Sequence, residues 1–244
     1  DIVTTLVEQP AAQVMLRPEN VGRFDAVLFY DMSGIANAGL VHDDSNDTGQ
    51  PTDDYRQSIE ALVASGKGIV MLNHATCSWP EWPLWRQIHG SSFMLTEGEV
   101  FGDTVPGSGY AGGHGPLPNP SFTLSPVDAS HPVTAGLEGG LTVADEIYIK
   151  SNNFEANVLP LMRSDYEYVS SNFTAPPMAP AEQQEGWTHP GGSNLVVWAN
   201  AAENSPVVAS DIGDSPGAFE NTGFRRLLKN ALQWVASDEA RQWA

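Results

Sequence analysis

The chain has 244 residues, 41% of them hydrophobic, and carries 11 Lys and Arg against 30 Asp and Glu, a formal net charge of −19. Such a length can bury one large core and the apolar share argues against disorder. The charge argues against nucleic acid or an anionic membrane as partner, since no basic stripe exists to release counterions from phosphates.

No apolar run reaches the roughly 20 residues of a membrane span, and no signal-peptide pattern or initiator Met opens the chain. The expectation is a soluble, cytoplasmic protein whose N-terminus is processed, trimmed or incomplete. One cysteine, Cys77, excludes an internal disulfide framework and a cysteine-rich zinc site.

In chain order, Ile2, Val3 and Leu6 suggest the end of an amphipathic helix over Asp1 to Gln9, and Ala12 to Leu16 a short strand closed by Arg17-Pro18. Phe24 to Tyr30 is a stronger strand, ending at Asp31. The loop that follows contains Asp43, Asp44, Asn46, Asp47 and Gly49. Counted from Asp44 it begins like an EF-hand, but the twelfth position is Tyr55 where a bidentate Glu is required, so a solvated acidic turn is the better reading. Thr52 caps a helix with Asp53 and Asp54 in its first turn and Tyr55, Ile59, Leu62 and Val63 on one face; Gly66 ends it. The apolar run Gly68 to Leu72 is then a buried strand, and strand, helix and strand make a parallel βαβ unit.

Pro80 to Gly90 predicts a short helix, and residues 98–120 are rich in Gly and Pro, presenting His114 on a loop. Ser121 to Leu124, Thr142 to Ile149, Asn157 to Met162, Asn194 to Ala199 and Pro206 to Ser210 read as extended segments. Residues 171–193 form an insertion of low structural content, and a helix from about Asn221 to Val235 turns Phe224, Leu227, Leu228, Ala231, Trp234 and Val235 inward. No repeat or domain boundary interrupts the chain, which is expected to be one domain.

The chemistry is sought where strands end, because open α/β sheets bind ligands beyond the carboxyl ends of their strands. Asp31, His74 and Asp214 stand at such ends, and His114 with the Asp145-Glu146 pair can join from loops. A histidine beside carboxylates is a general acid or base near neutral pH. The same residues are ordinary zinc ligands, but no His pair stands at i, i+4 spacing. Cys77 lacks the flanking glycines of a nucleophile elbow and reads as a packed thiol; Ser33 also lacks that elbow. No phosphate-cradling glycine motif is present. Trp79, Trp82 and Trp85 offer flat apolar area to a sugar ring, although most tryptophans belong to cores.

Five segments, in order, resemble the trehalose-utilisation (ThuA-like) family of the class I glutamine-amidotransferase-like superfold. They are Gly66-Lys67-Gly68-Ile69-Val70-Met71-Leu72-Asn73-His74-Ala75, then Gly113-His114-Gly115, His131-Pro132-Val133-Thr134-Ala135-Gly136-Leu137, Asp145-Glu146-Ile147-Tyr148, and Ile212-Gly213-Asp214 with Ala218-Phe219, Phe224, Leu227, Leu228, Asn230, Ala231 and Trp234. The resemblance implies a flavodoxin-like three-layer α/β/α sandwich with a mostly parallel sheet. It also implies a role in using trehalose, related disaccharides or their keto derivatives. In that family a histidine, here His74, stands about where amidotransferases place their nucleophilic cysteine, which excludes glutaminase activity. The family has Leu-Gly-His where this chain has Ile-Gly-Asp, so Asp214 replaces a histidine. The family also opens with a strand ahead of its first helix, and that strand is expected to be absent from this sequence.

The expected site therefore has His74 as central base or acid, His114 as a second proton carrier, and Asp31 and Asp214 as orienting carboxylates. Asn73, Trp79, Trp82, Glu146 and Tyr148 are the expected substrate contacts. The substrate is a small carbohydrate handled by a hydrolase, lyase or isomerase, with no resident cofactor. The alternatives are a non-catalytic sugar-binding or regulatory module, which needs no proton carrier, and a zinc-dependent hydrolase using His74, His114 and Asp214. Homo-oligomerisation is compatible with the family.

Overall fold

The computed structural model describes residues 2–34, 50–113 and 115–244. The acidic stretch read against the EF-hand pattern lies largely outside these residues, and so does His114.

Among the described residues eleven strands are formed: β1 Ala26–Phe29, β2 Gly68–Leu72, β3 Gly98–Val100, β4 Asp103–Val105, β5 Gly109–Ala111, β6 Ser121–Pro126, β7 Leu141–Ala144, β8 Ile147–Ile149, β9 Leu159–Ser164, β10 Leu195–Ala202 and β11 Ser205–Ser210. Seven of them make the main sheet, in the order β1-β2-β11-β10-β9-β6-β7, while β3-β4 and β5-β8 pair separately. β1, β2 and β11 run parallel, with Ala26 opposite Gly68 and Ser210 opposite Leu72. Every other pairing of the main sheet is antiparallel. The expected α/β sandwich is present, but its sheet is mixed. The physical reason lies in the connections: only Glu203 and Asn204 separate β10 from β11, and so short a link cannot provide the crossover that parallel strands require.

Alternation along β2 and β11 divides the core into two layers. Ile69, Met71, Val207 and Ala209 face helices α3 (Asp53–Ala64) and α4 (Pro83–His89), where Ile59, Leu62, Val63, Trp85 and Ile88 pack on them. Val70, Leu72 and Val208 face α7 (Thr222–Val235) and α8 (Asp238–Trp243), meeting Phe224, Leu227, Ala231, Trp234, Val235 and Ala240. The cap read from the sequence is made, Thr52 Oγ1 accepting from Tyr55 N at 3.3 Å, and Asn221, near which the last long helix was expected to begin, caps α7 with its Oδ1 accepting from Gly223 N and Phe224 N. Short helices α5 (Ala181–Gln184) and α6 (Pro216–Glu220) complete the set with two at the start, α1 (Ala11–Met15) and α2 (Pro18–Val21).

The first residues depart from expectation. Residues 2–8 form neither helix nor strand, with Val3 94% and Leu6 89% exposed. The β-branched run Ile2-Val3-Thr4-Thr5 is a poor helix former, and with no partner for its apolar side chains nothing compensates. The helix forms instead over Ala11–Met15, where a strand was expected. The extended segment Thr142 to Ile149 is broken into β7 and β8 at Asp145-Glu146, two residues that take no part in either ladder.

Gly68 opens β2 directly beneath the last turn of α7: a Cβ there would lie 2.2 Å from Val235 O and 2.9 Å from Val235 Cβ. Since neither strand nor helix end can retreat without unpacking a core layer, Gly68→Ala is expected to destabilise by about 1–3 kcal/mol. Urea unfolding checks this, and a loss within error of zero would show that α7 slides freely on the sheet.

Candidate functional site

β2 ends at Leu72, and the chain then turns sharply through Asn73, whose φ of 43° lies in the left-handed region that asparagine tolerates better than most residues. The following one-turn 3₁₀ helix, Asn73–Thr76, raises His74 above the strand end. The turn is held from below. Asn73 Nδ2 donates to Asp211 O at 2.9 Å, Thr76 Oγ1 donates to Asn73 O at 2.8 Å, and Ala75 O accepts from Trp85 Nε1 at 2.8 Å. Because β11 lies beside β2, residues 211–214 leave the sheet next to this turn.

His74 Nε2 lies 3.4 Å from Glu146 Oε2 and 3.4 Å from Asp214 Oδ1. Glu146 also accepts from Tyr148 Oη at 2.7 Å and from Asn73 Nδ2 at 3.4 Å. The Tyr30 ring stands 6.2 Å from the imidazole, and its hydroxyl donates to Asp214 O at 3.5 Å. His74, Glu146, Tyr148, Tyr30, Tyr110 and Cys77 line a cleft of about 1760 Å³, which residues 2–9 and β1 also border.

Burial by itself disfavours a charged imidazole, yet the hydrogen bond and charge of Glu146, joined by the charges of Asp214 and Asp145, raise His74 above its ordinary value. The same surroundings act oppositely on acids. Burial, followed by the charges of Asp211 and Glu146, pushes the Cys77 thiol well up, so it stays protonated and is no nucleophile. Burial also holds the Tyr148 phenol protonated, with the charge of Glu146 adding to it, which keeps its hydroxyl a donor toward Glu146.

Beneath the turn lies a fully buried ion pair. Lys150 Nζ sits 2.8 and 2.7 Å from the two Asp211 oxygens and 4.3 Å from the centre of a Trp198 ring. Burial pushes the Asp211 carboxyl up, with Lys150 offsetting part of that rise. Thr76 Oγ1 also reaches Asp211 at 3.4 Å, so the pair supports the segment that carries His74.

The structure thus joins His74, Asp214 and Glu146, with Tyr148 and Asn73 behind them. Asp31 borders the same cleft, but its carboxylate accepts from Ser33 Oγ at 2.6 Å and Gln9 Nε2 at 3.0 Å; the second carboxylate on the imidazole is Glu146. Trp79 and Trp82 are only 1% and 3% exposed, packed with Tyr55, Trp85 and Phe29 on the α3–α4 side of the sheet, and they do not border the cleft. They follow the usual fate of large aromatics near helix–sheet contacts. Tyr30 and Lys150 were missed. Tyr30 had a signal, since it directly precedes Asp31 at a strand end, and Lys150 is a lone cation closing the apolar run Ile147-Tyr148-Ile149.

His74, Glu146 and Asp214 also place three donor atoms within 4.8 Å of one another, a set on which a divalent cation could be shared. Among the described residues no helix is long and apolar enough to cross a membrane.

A flavodoxin-like α/β sandwich with a histidine at the end of a parallel strand, set between a carboxylate from the neighbouring parallel strand end and one from the β7–β8 link, is the class these features define. The chain belongs to the ThuA family, described as trehalose utilisation, whose model matches residues 2–235. Its fold is similar to that of a ThuA-like protein from Bacteroides uniformis, at 16% identity and a TM-score of 0.59 over 98% of this chain and 77% of that one. A ThuA-like protein from Parabacteroides merdae is similar at 20% identity and a TM-score of 0.53, over 93% and 84% of the two chains. A cytoplasmic protein of Salmonella typhimurium gives 10% identity and a TM-score of 0.51, over 89% and 74%. No curated protein sequence matches this chain significantly.

Two measurements check the electrostatics. A histidine whose folded pKa is raised contributes stability that is complete below its unfolded value of about 6.5 and is lost as pH climbs through the folded value. The melting-temperature advantage of the wild type over His74→Gln is therefore expected to be largest at about pH 5.5 and to shrink toward about pH 9. An advantage that grows with pH would reverse the assignment. Lys150→Met strands Asp211 without its partner and is expected to cost about 3–5 kcal/mol, most of it recovered when Asp211→Leu is added. Urea unfolding of both variants reads this directly, and a single-variant loss below about 1 kcal/mol would show that water already reaches the pair.

Proposed function

We propose that this protein binds a small carbohydrate, a disaccharide of the trehalose type or its keto derivative, in the cleft beside His74 and acts on it by acid–base chemistry. The observation that carries this reading is His74 Nε2 held at 3.4 Å from both Glu146 and Asp214 where the cleft meets the sheet edge. The imidazolium is the proton donor, and the carboxylates orient it and stabilise its charge. Tyr148, Tyr110 and Tyr30 supply hydroxyls and ring faces of the kind that recognise sugars. Membership of the family supports the carbohydrate class.

The trio's donor spacing favours one competing reading, a divalent cation bound by His74, Glu146 and Asp214 in place of a proton. The two readings separate cleanly. With disaccharides and their keto derivatives, thermal stabilisation and turnover that survive exhaustive chelation support the proton mechanism. His74→Gln is then expected to lose about 10²- to 10⁴-fold in kcat with sugar-induced stabilisation largely kept. Turnover restored only by added zinc or manganese replaces the proton with a metal. Stabilisation without turnover in the wild type makes this a binding module, and stabilisation by no sugar removes the carbohydrate reading.

A further inference from the structure

We infer that Asp145 is the positioning residue that fixes Asp214 against His74, gripping the turn on both sides of Asp214 with the two oxygens of one carboxylate. Asp145 Oδ2 accepts from Gly213 N at 2.6 Å, and Asp145 Oδ1 accepts from Ser215 N at 2.8 Å. The two donors are the residues before and after Asp214, so the side chain between them is aimed by the grip. Asp145 is fully buried. Two backbone N–H groups replace the hydration that this buried carboxylate gives up, and charge-assisted bonds of this kind are about twice as strong as neutral ones.

The placement is non-local. β7, which delivers Asp145, is the far edge of the main sheet, four pairings removed from β11. The sheet curls until these two strand ends meet, and the Asp145 bonds are among the contacts made there. The next residue along is Glu146, the other partner of His74, so one dipeptide sets both carboxylates: Glu146 directly and Asp214 through the turn. Gly213 has a φ of 123°, a conformation that side-chain-bearing residues avoid, so the turn is shaped for the grip at the cost of chain freedom. Ser215 anchors the turn separately, its Oγ donating to Ala144 O at 3.2 Å and accepting from Ala218 N at 3.3 Å as the cap of α6.

The inference rests on His74 and Asp214 working together as proposed above, but its test needs no substrate. The groups facing His74 are Glu146 and Asp145 from the β7–β8 link, Asp214 after β11 and Tyr30 after β1. In chelator-dialysed, isotope-labelled protein, the His74 imidazole is titrated by NMR in the wild type, Asp145→Asn, Asp214→Asn and the double variant. Asparagine keeps the size of Asp145 but turns a donor toward an N–H, releasing one side of the grip. The expected result is a midpoint lowered by about 0.5–1 unit in Asp145→Asn, and by less than half as much when Asp145→Asn is made on top of Asp214→Asn. Equal shifts in both backgrounds would mean that Asp145 acts on His74 only through its own charge, overturning the inference.

Ser215→Ala is the structural control. It removes the cap and the Ala144 bond while leaving both amide bonds to Asp145, so the melting temperature should fall and the His74 midpoint stay in place. A midpoint that moves as far as in Asp145→Asn would assign the geometry to general rigidity of the turn. If Asp145→Asn does not fold, hydrogen exchange in the wild type decides: Gly213 and Ser215 amides should be as protected as those of β11, and rapid exchange would refute the grip. Failure of the carbohydrate reading would leave every one of these outcomes readable.

Discussion

The parallel pairing of β2 with β11 is the constraint on which the rest of the molecule depends. With Leu72 opposite Ser210, both strands stop at the same height, and the two turns that follow emerge side by side. One carries Asn73 and His74, the other Asp211 and Asp214. No side chain in either turn needs to be long to reach the other: Asn73 Nδ2 donates to Asp211 O, and Asp211 N in turn donates to Val196 O of β10. The whole arrangement depends on α7 and α3 pressing the two strands from opposite faces, which is why glycine is required at the foot of β2.

Carboxylates dominate this edge. Asp145, Glu146, Asp211 and Asp214 converge there, with Lys150 paired to Asp211 and His74 set between Glu146 and Asp214. Their burial is made tolerable in three different ways: Asp211 by the ammonium, Asp145 by two backbone amides, and Glu146 by a phenol, an asparagine amide and the imidazole. These solutions are not interchangeable. Only the last places an imidazole beside the carboxylate at the cleft. The net charge of −19 has the same sign as this edge, so the protein field as a whole attracts cations and favours the protonated histidine.

Much of this was legible in the sequence because it is local. The cap at Thr52, the face formed by Ile59, Leu62 and Val63, the buried strand before Asn73 and the amphipathic α7 each follow from neighbours within a few residues. His74 and Asp214 could be placed because they end apolar runs. What was not legible is long-range. The partner of His74 is Glu146, 72 positions away, brought in by a sheet that curls on itself. The mixed direction of the sheet was hidden in Glu203-Asn204, a hairpin turn whose first residue adopts a φ of 52°. The tryptophans misled because an aromatic cluster beside a strand end fits a ligand wall and a core equally well. Only the side of the sheet on which it falls distinguishes them, and that is decided by α3 and α4. The start of the chain misled for a related reason: an apolar pattern predicts a helix only where something exists to pack against it.

One field accounts for two properties that otherwise look unrelated. The turn after β2 carries His74 and, three residues on, Cys77, and both border the cleft. Negative charge from Glu146 and its neighbours favours a cation and opposes an anion. It therefore raises the imidazole toward its protonated form against the pull of burial, and it adds to burial in keeping the thiol protonated. A cysteine nucleophile at this strand end would need the reverse, a local positive potential. Substituting a histidine for such a nucleophile without changing its surroundings would leave a poorly charged imidazole; here the surroundings have the sign that a histidine needs. The chemistry available at this edge is thus set less by which residue crowns the strand than by the carboxylates that Asp145 and Glu146 bring across the sheet to meet it.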